Sequence, residues 1–320
     1  MAVHADTVIK YDIVGDREDL SDVIYDISPD DTPLFSKAGR GKATNTLHEW
    51  LNDELATGVS TNAHLDGDDS ETEASTQPTR TGNYTQISKK VAQVSGTSEA
   101  LRKAGRKGEL SRIMTRKMKE LKLDMETSMF ANLGANAGAA ATARVSAGLG
   151  AIVKTNVDLA GDGTNPVYVG NLPTDPRNDG TQRAFTATIL QNVQTLAWGN
   201  GGSPKVLYVG AFNKAAVSAF AGIATKTIEQ SKASPAVIVG SADVYVGEFG
   251  NITVMPSRNS RTRDAWLIDH DYIAVDYLRP FHEEKLAKTG DSNKRHIVVE
   301  WTLKVSNEQA HGLAADLTTA

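Results

Sequence analysis

Residues 109–132 read "ELSRIMTRKMKELKLDMETSMFAN". Leu110, Met114, Met118, Leu121, Met125 and Met129 recur every three or four positions, the repeat that gives a helix one apolar stripe. At ~1.5 Å of rise per residue the segment would be about 36 Å long. Gly134 stops it. A run of methionines can make an adaptable peptide groove, but at this spacing they read as core. Arg112, Arg116, Lys117, Lys119 and Lys122 occupy much of the remaining helix surface.

The segments before this helix are of a different kind. Residues 1–46 read as extended or irregular, and "DISPDDTPLFSKAGRGKA" is rich in turn formers. Leu34 and Phe35 stand out there as apolar anchors for an arm laid over another surface. Residues 44–56, "TNTLHEWLNDELA", fit a helical stripe through Leu47, Trp50, Leu51 and Leu55. They equally fit a strand face through His48, Trp50 and Asn52. Residues 57–81 are polar, without aromatics, and too long for an ordinary connection in a compact domain. "GNYTQISKKVAQVSG" then reads as a strand. An outgoing segment, a polar tip and a returning strand make an extended arm, its tip too polar to order alone.

After the long helix, residues 134–183 are rich in Gly, Ala, Asn and Asp and read as loop with short strands. Residues 184–198 form an amphipathic helix, "KVLYVG" a buried strand, and a helix follows near 212–221. Strands follow at "VIVG", "VYVGEFG", "NITVMP", "RDAWLIDHDYIAVDYL" and "HIVVEWTLKVSN". No helix follows each strand in turn, so the class is α+β rather than a doubly wound parallel fold. No internal repeat is visible.

Composition narrows the chemistry. With 320 residues and 40% hydrophobic content the chain is large enough to bury a core. No cysteine is present, which excludes disulfides, thiolate metal sites and cysteine nucleophiles. No window approaches the ~18 apolar residues of a membrane span, so no membrane partner is expected. Charge is segregated. Asp12–Asp31 holds eight acids and one base, Glu49–Glu73 eight acids and no Lys or Arg, and Glu99–Lys122 nine bases and three acids. Each run alone reads as a solvated face. Three in succession equally suit copies that dock by complementary patches.

Motifs for catalysis fail on inspection. "HEWLN" at 48–52 and "HEEKL" at 282–286 each lack the second histidine of H-E-x-x-H, replaced by Asn52 and Leu286. The first reads as a polar His-Glu pair on an exposed arm. "DGDDSETE" at 66–73 resembles a calcium loop, but Glu71 and Gln77 stand where an EF-hand needs Gly and Glu. "GLGAIV" at 148–153 lacks the third glycine of a dinucleotide fingerprint. The seven histidines are scattered, and nothing poises a nucleophile beside a base. No catalytic residue, metal ligand or cofactor is expected. A hydrolase site assembled from distant residues is the alternative, with a decoration or tail-tube protein of a virion as another.

The wording and order of five segments carry a resemblance: "DLSDVIYDISPDDTPLFSKAGRGKATNTLHEW", "GNYTQISKKVAQVSGT", "GRKGELSRIMTRKMKELKLDMETSMF", "YLRPFHEEKLAKTGD" and "VSNEQAHGLAADL". Together they resemble the major capsid proteins of tailed bacteriophages, which have the Hong Kong ninety-seven capsid fold. The resemblance implies an N-terminal arm at 1–45 and an extended two-stranded loop at 46–95, which favours the strand reading of "TLHEWLNDEL". It implies a peripheral domain at 96–183 with its spine helix at 109–132, an axial domain at 184–265, and returning peripheral strands and C-terminus at 266–320. It implies hexamers and pentamers of the chain closing into an icosahedral virion head, assembled in the cytoplasm of a bacterial host around double-stranded DNA. Separate scaffolding, portal and decoration proteins would be partners; no charged scaffolding leader is visible before the arm. The lysine–asparagine cross-link of one family member matches no position here. Leu34, Phe35, Trp50, Asp66, Asp68, Asp69, Glu71, Glu73, Arg112, Arg116, Lys117, Lys119 and Lys122 are the candidate contacts between subunits. The basic helix would face either a neighbour's acidic arm or loop, or packaged DNA, whose phosphates attract basic surfaces without regard to sequence.

Overall fold

The computed structural model describes residues 28–67, 69, 77–101, 108–220 and 243–320. The first elements are a short helix α1 (Pro33–Lys37) and strand β1 (Gly39–Lys42), where the sequence suggested extended or irregular chain. Pro33 opens α1 because a missing N–H costs nothing in a first turn. Strands β2 (Leu47–Asn52) and β3 (Thr79–Tyr84) pair antiparallel, which settles the ambiguous segment as strand. Strand β4 (Gln86–Ser95) follows at once. The single strand read at 82–96 is therefore two, split at Thr85. Its N–H is held by Thr46 O (2.8 Å), and its side chain turns to Glu300.

Helix α2 (Gly96–Ala100) is shorter than the reading "TSEALRKA", whose end lies outside the described residues. The long helix α3 (Glu109–Phe130) buries Met114, Leu121, Met125, Met129 and Phe130. Met118, read as part of the stripe, is 40% exposed. The helix ends two residues early because Ala131 turns extended where two glycines lie close. Gly148 N–H bonds Leu133 O and Gly150 N–H bonds Ala131 O, so the next segment pairs with the chain just past the helix end. Gly134 allows this turn: a Cβ there would stand 1.8 Å from Thr174 O.

The segment 134–183 is mostly loop with short elements, as read: α4 (Leu149–Ile152), β5 (Val157–Asp158), β6 (Val167–Val169) and β7 (Leu172–Asp175). Helix α5 (Ala187–Gly199), capped by Thr186, leads to strand β8 (Val206–Val209) and helix α6 (Ala211–Ser218). The "VIVG" strand lies outside the described residues. Strands β9 (Val244–Gly247), β10 (Gly250–Pro256) and β11 (Ala265–Ile268) come next, then β12 (Ile273–Lys285), β13 (Ser292–Val305) and β14 (Gly312–Ala314). The long strand read at 263–278 is broken by a 3-10 turn at His270–Tyr272, where the Asp269 carboxylate accepts the Asp271 N–H. That break moves the chain from one sheet to another.

Among the described residues, β1-β12-β13-β4 form one sheet and β5-β14-β11-β8-β10-β9 another; β2-β3 and β6-β7 stand as pairs. One core joins α1, α3 and the inner face of the first sheet to Tyr208, Trp266 and Ile268 of the second. A second core lies under α5 and α6, on Leu207, Val209, Ile252, Val254 and Leu267. Alternation along β8 and β11 thus sends side chains to both cores, which is why these strands read as continuous apolar runs. Two mixed sheets with helices gathered on particular faces make the fold α+β.

Leu121, wholly buried mid-helix, gives the test of this packing. Leu121→Ala should cost about 2–5 kcal/mol, whereas Met118→Ala should cost well under that. Urea unfolding of the isolated subunit, followed by circular dichroism, measures both.

Candidate assembly surfaces

The N-terminal segment is latched to its own subunit. Glu126, on the buried side of α3, accepts the N–H groups of Leu34 (2.9 Å) and Phe35 (2.6 Å), the second and third positions of α1. A carboxylate at a helix start meets orphan donors and the positive end of the dipole. Burial pushes the Glu126 carboxyl up from its usual range, and the two N–H bonds oppose that shift. Arg40 closes the latch, donating to Phe35 O at 2.6 Å and stacking 4.0 Å over the Phe35 ring. Leu34 and Phe35 were expected as contacts between subunits. Both side chains are buried in this chain's own core.

The extended loop is rooted as firmly. Asn83 is fully buried; its amide donates to Leu303 O (2.8 Å) and Ser146 Oγ (3.1 Å) and its carbonyl accepts from Ala147 N (2.8 Å). Glu300, on β13, accepts from Thr85 Oγ1 (3.1 Å), Arg279 Nε (2.8 Å) and Arg144. His48 bonds Asp276 on β12 through Nε2 at 2.8 Å. That corrects the reading of "HEWLN" as an exposed polar pair: His48 is a root bond, and only Glu49 turns outward, toward Arg80 at 3.7 Å. Asp276 has room because Gly41 lacks a side chain; a Cβ there would stand 2.1 Å from Asp276 Oδ1. Trp50 is half-buried at the root, its ring 6.0 Å from the Lys304 ammonium.

Beyond this root the loop leaves the body. Residues 53–65 are exposed without regular structure apart from a turn, and Leu51, Leu55, Val59 and Leu65 present apolar side chains to solvent, Leu55 at 99% exposure. Asp66 and Asp69 are exposed near the tip. Asp68, Glu71 and Glu73 lie outside the described residues.

The basic side of α3 is partly neutralised within the chain. Arg112 pairs with Glu109 (2.6 Å), Lys117 with Glu120 (2.6 Å), Arg116 with Glu120 (3.6 Å) and Lys119 with Asp30 of the arm (2.6 Å). Lys122 is exposed.

Two features escaped the sequence reading. At the edge of the second sheet, β9 exposes Val244 and Val246, the latter at 75%, and nearby Trp198 stacks on Phe249 at 5.0 Å while remaining 61% exposed. Trp198 closes an amphipathic helix just before "GNGGSP", and its apolar bulk at a helix end was the available signal. The other is the C-terminal segment 310–317, wholly buried. Asp316, at φ 59°, accepts from Gly180 N (2.8 Å), Ala160 N (3.2 Å) and Arg263 (2.8 Å), pinning the loop region to the second sheet. His311 is fully buried, and burial lowers its pKa to about 3.

This architecture is shared with known structures. Among solved structures it is similar to a chain of the capsid asymmetric unit of cyanophage A-1(L), with a TM-score of 0.65 and 12% identity over 97% of this chain and 98% of that one. It is also similar to a chain of Gordonia phage Cozz, with a TM-score of 0.60 and 9% identity over 95% of this chain and 92% of that one. Those likenesses are of fold, the Hong Kong ninety-seven capsid fold. By sequence, the chain is 34% identical over 116 residues to the major capsid protein of Escherichia phage Phieco32. That match covers 36% of this chain and 33% of the relative, so it spans about a third of the relative's length. The family profile described as SU10 major capsid protein matches residues 5–318, and the chain belongs to that family. It is a structural phage capsid protein, not an enzyme.

Two predictions follow from the buried charges. Glu126→Ala leaves two buried N–H groups unpaired, which should cost about 2–4 kcal/mol; hydrogen exchange at the Leu34 and Phe35 amides should accelerate at least tenfold. His311 contributes to the pH dependence. Its folded pKa lies below the unfolded value of 6.5, so its stabilising contribution is complete above pH 6.5 and lost as pH falls toward about 3. The slope should reach about 1.4 kcal/mol per pH unit. His311→Asn should flatten that loss between pH 6.5 and 4 in unfolding titrations.

Proposed function

We propose that the chain self-assembles into hexamers and pentamers that close as the icosahedral head of a tailed phage around double-stranded DNA. The observation that carries the reading is the contrast between the loop's root and its reach. Buried Asn83, Asp276 and Glu300 and half-buried His48 hold the root, while an acidic segment with bare leucines extends past its last described bond to the body, Gln309 to Glu54 at 3.2 Å. Bare apolar side chains on a rigidly aimed arm are stable in solution only at a cost, and a neighbouring copy offsets that cost.

In this reading residues 1–45 are the N-terminal arm, 46–95 the extended loop, 96–183 the peripheral domain with its spine helix, 184–265 the axial domain and 266–320 the returning strands. The free part of the loop is narrower, because β4 already pairs with β13. Trp198, Phe249, Val244 and Val246 suit contacts around the hexamer or pentamer axis. Scaffolding, portal and decoration proteins are the expected partners during assembly in the host cytoplasm.

The charged side of α3 has two destinations: a neighbour's acidic loop around Asp66, Asp68, Asp69, Glu71 and Glu73, or packaged DNA. Exposed pairs are worth only about 0–1 kcal/mol each, so either must act through many contacts. Changing Arg116 and Lys117 to Glu separates them. Loss of empty shells, restored by Asp68→Lys with Asp69→Lys, assigns the loop; intact shells with poor genome retention assign DNA.

Electron microscopy tests the whole reading. Purified chain with its scaffold should form closed shells, and deletion of 60–78 should leave the subunit folded but abolish them. A monomer at high concentration, or shells unaffected by the deletion, would refute it.

A further inference from the structure

The turn that ends at His311 joins three parts of the subunit. Its 3-10 helix, Glu308–Ala310, meets the extended loop, where Gln309 Nε2 donates to Glu54 Oε1 at 3.2 Å. On the body side Glu308 accepts the N–H groups of Lys154 (3.1 Å) and Thr155 (3.2 Å). Asn156 Nδ2 donates to the carbonyls of Gln309 (2.6 Å) and His311 (2.9 Å). Beyond the turn, β14 pairs with β11 of the second sheet. His311 ties these together at the point where the chain leaves that sheet, with Nδ1 3.3 Å from Asp269 N.

A backbone N–H can only donate, so Nδ1 accepts and the proton of the neutral ring sits on Nε2. Nε2 is buried without a hydrogen-bond partner among the described residues. The fully buried ring therefore has no place for a second proton. On Nδ1 it would set donor against donor, and neither nitrogen has a carboxylate partner for the charge. The surrounding groups give little relief. His270 of the crossing turn opposes a charge on His311. Lys37 of α1 opposes one on His270, while Asp269 and Asp271 favour it. Tyr208 of β8 shares a 2.8 Å bond with His270 Nε2, and Glu126 of α3 acts on Tyr208. The Tyr272 carbonyl favours the charge on His311 without a well-formed hydrogen bond to it, and it already accepts the Ser306 N–H at 2.9 Å.

We propose that His311 is a proton-operated latch: taking up a proton drives the ring from its pocket, opens the turn 308–311 with β14, and frees the extended loop from Gln309. In the closed subunit burial, and next His270, hold the pKa at about 3. In the open turn the ring meets water, and its pKa returns to about 6.5. Above pH 6.5 the ring is neutral in both forms and the latch stays closed. Below it the open form takes up the proton first, so opening grows about tenfold per pH unit. The latch is a property of the single subunit. Only its use, letting acid set how freely the loop seeks a neighbouring copy, rests on the assembly reading.

Hydrogen exchange on unassembled subunits at pH 7 and pH 5, corrected for the intrinsic pH dependence of exchange, is the test. The amides of His311, Leu313 and Ala315 bond Glu308 O, Asn156 O and Asp158 O. Their protection should fall about 25-fold at pH 5 and lie well below that of Val299 and Trp301 in β13. His311→Asn offers Asp269 N–H an oxygen that does not titrate. Whatever it does to protection at pH 7, it should abolish the fall. The chain has no cysteine, so spin labels at Thr57→Cys and Thr195→Cys report the loop-to-body distance without background. That distance should broaden at pH 5, and not when His311→Asn is added. Protection that ignores pH overturns the latch, as does a fall that survives His311→Asn. Equal protection of the turn and β13 at pH 5 overturns it too, since opening would then need the whole subunit to unfold. A label distance indifferent to pH overturns the link to the loop.

Discussion

Strands β12 and β13 pair antiparallel over most of their length, and nearly every part of the subunit that could reach outward is fastened to them. β1, behind the arm, pairs with β12; β4, behind the extended loop, pairs with β13. His48 ties the loop's outgoing strand to Asp276 of β12, and Asn83 and Thr85 tie its return to Leu303 and Glu300 of β13. The inner face of the same sheet packs on α3, whose Glu126 holds α1. Arm, loop and helix thus take their direction from one pair of strands.

The fastening is polar in a place where polar groups are expensive. A buried carboxylate costs several kcal/mol unless its lone pairs are met. Glu300 is met by Arg144, Arg279 and Thr85, and Glu126 by two amides, and truncating any partner strands a charge. Apolar replacements would pack as well, but they lack direction. Hydrogen bonds to fixed carbonyls and amides select one angle for the loop, and a subunit that must place an arm on a neighbour requires one angle rather than an average. The apolar cores beneath supply the bulk of stability.

Much of this was legible in the sequence. The stripe on 109–132 and the alternation of Ile297, Val299, Trp301, Leu303 and Val305 are local periodicities, and each survives in the structure; of the polar tip read at 57–81, residues 79–81 belong to β3 and part lies outside the described residues. What escaped was long-range. Nothing near Glu126 says that its partners are 91 and 92 positions away, although an acid beside Met125 in an apolar stripe was a signal. His48 read as exposed because Asp276 is remote in the chain. Leu34 and Phe35 read as anchors but not as anchors to their own core. The break at Thr85 and the turn at His270–Tyr272 hide within strand-like composition, because what ends those strands is a change of sheet and not a change of residue type.

The central claim is that the root is rigid in the free subunit and the loop finds its support only on another copy. Hydrogen exchange, read by mass spectrometry on unassembled subunits and on closed shells, tests it directly. The account predicts strong protection of residues 83–95 and 292–305 in both states, with residues 53–67 exchanging freely in the subunit and becoming protected in the shell. Protection of 53–67 in the free subunit equal to that in the shell would contradict it, as would a loop that stays unprotected after assembly.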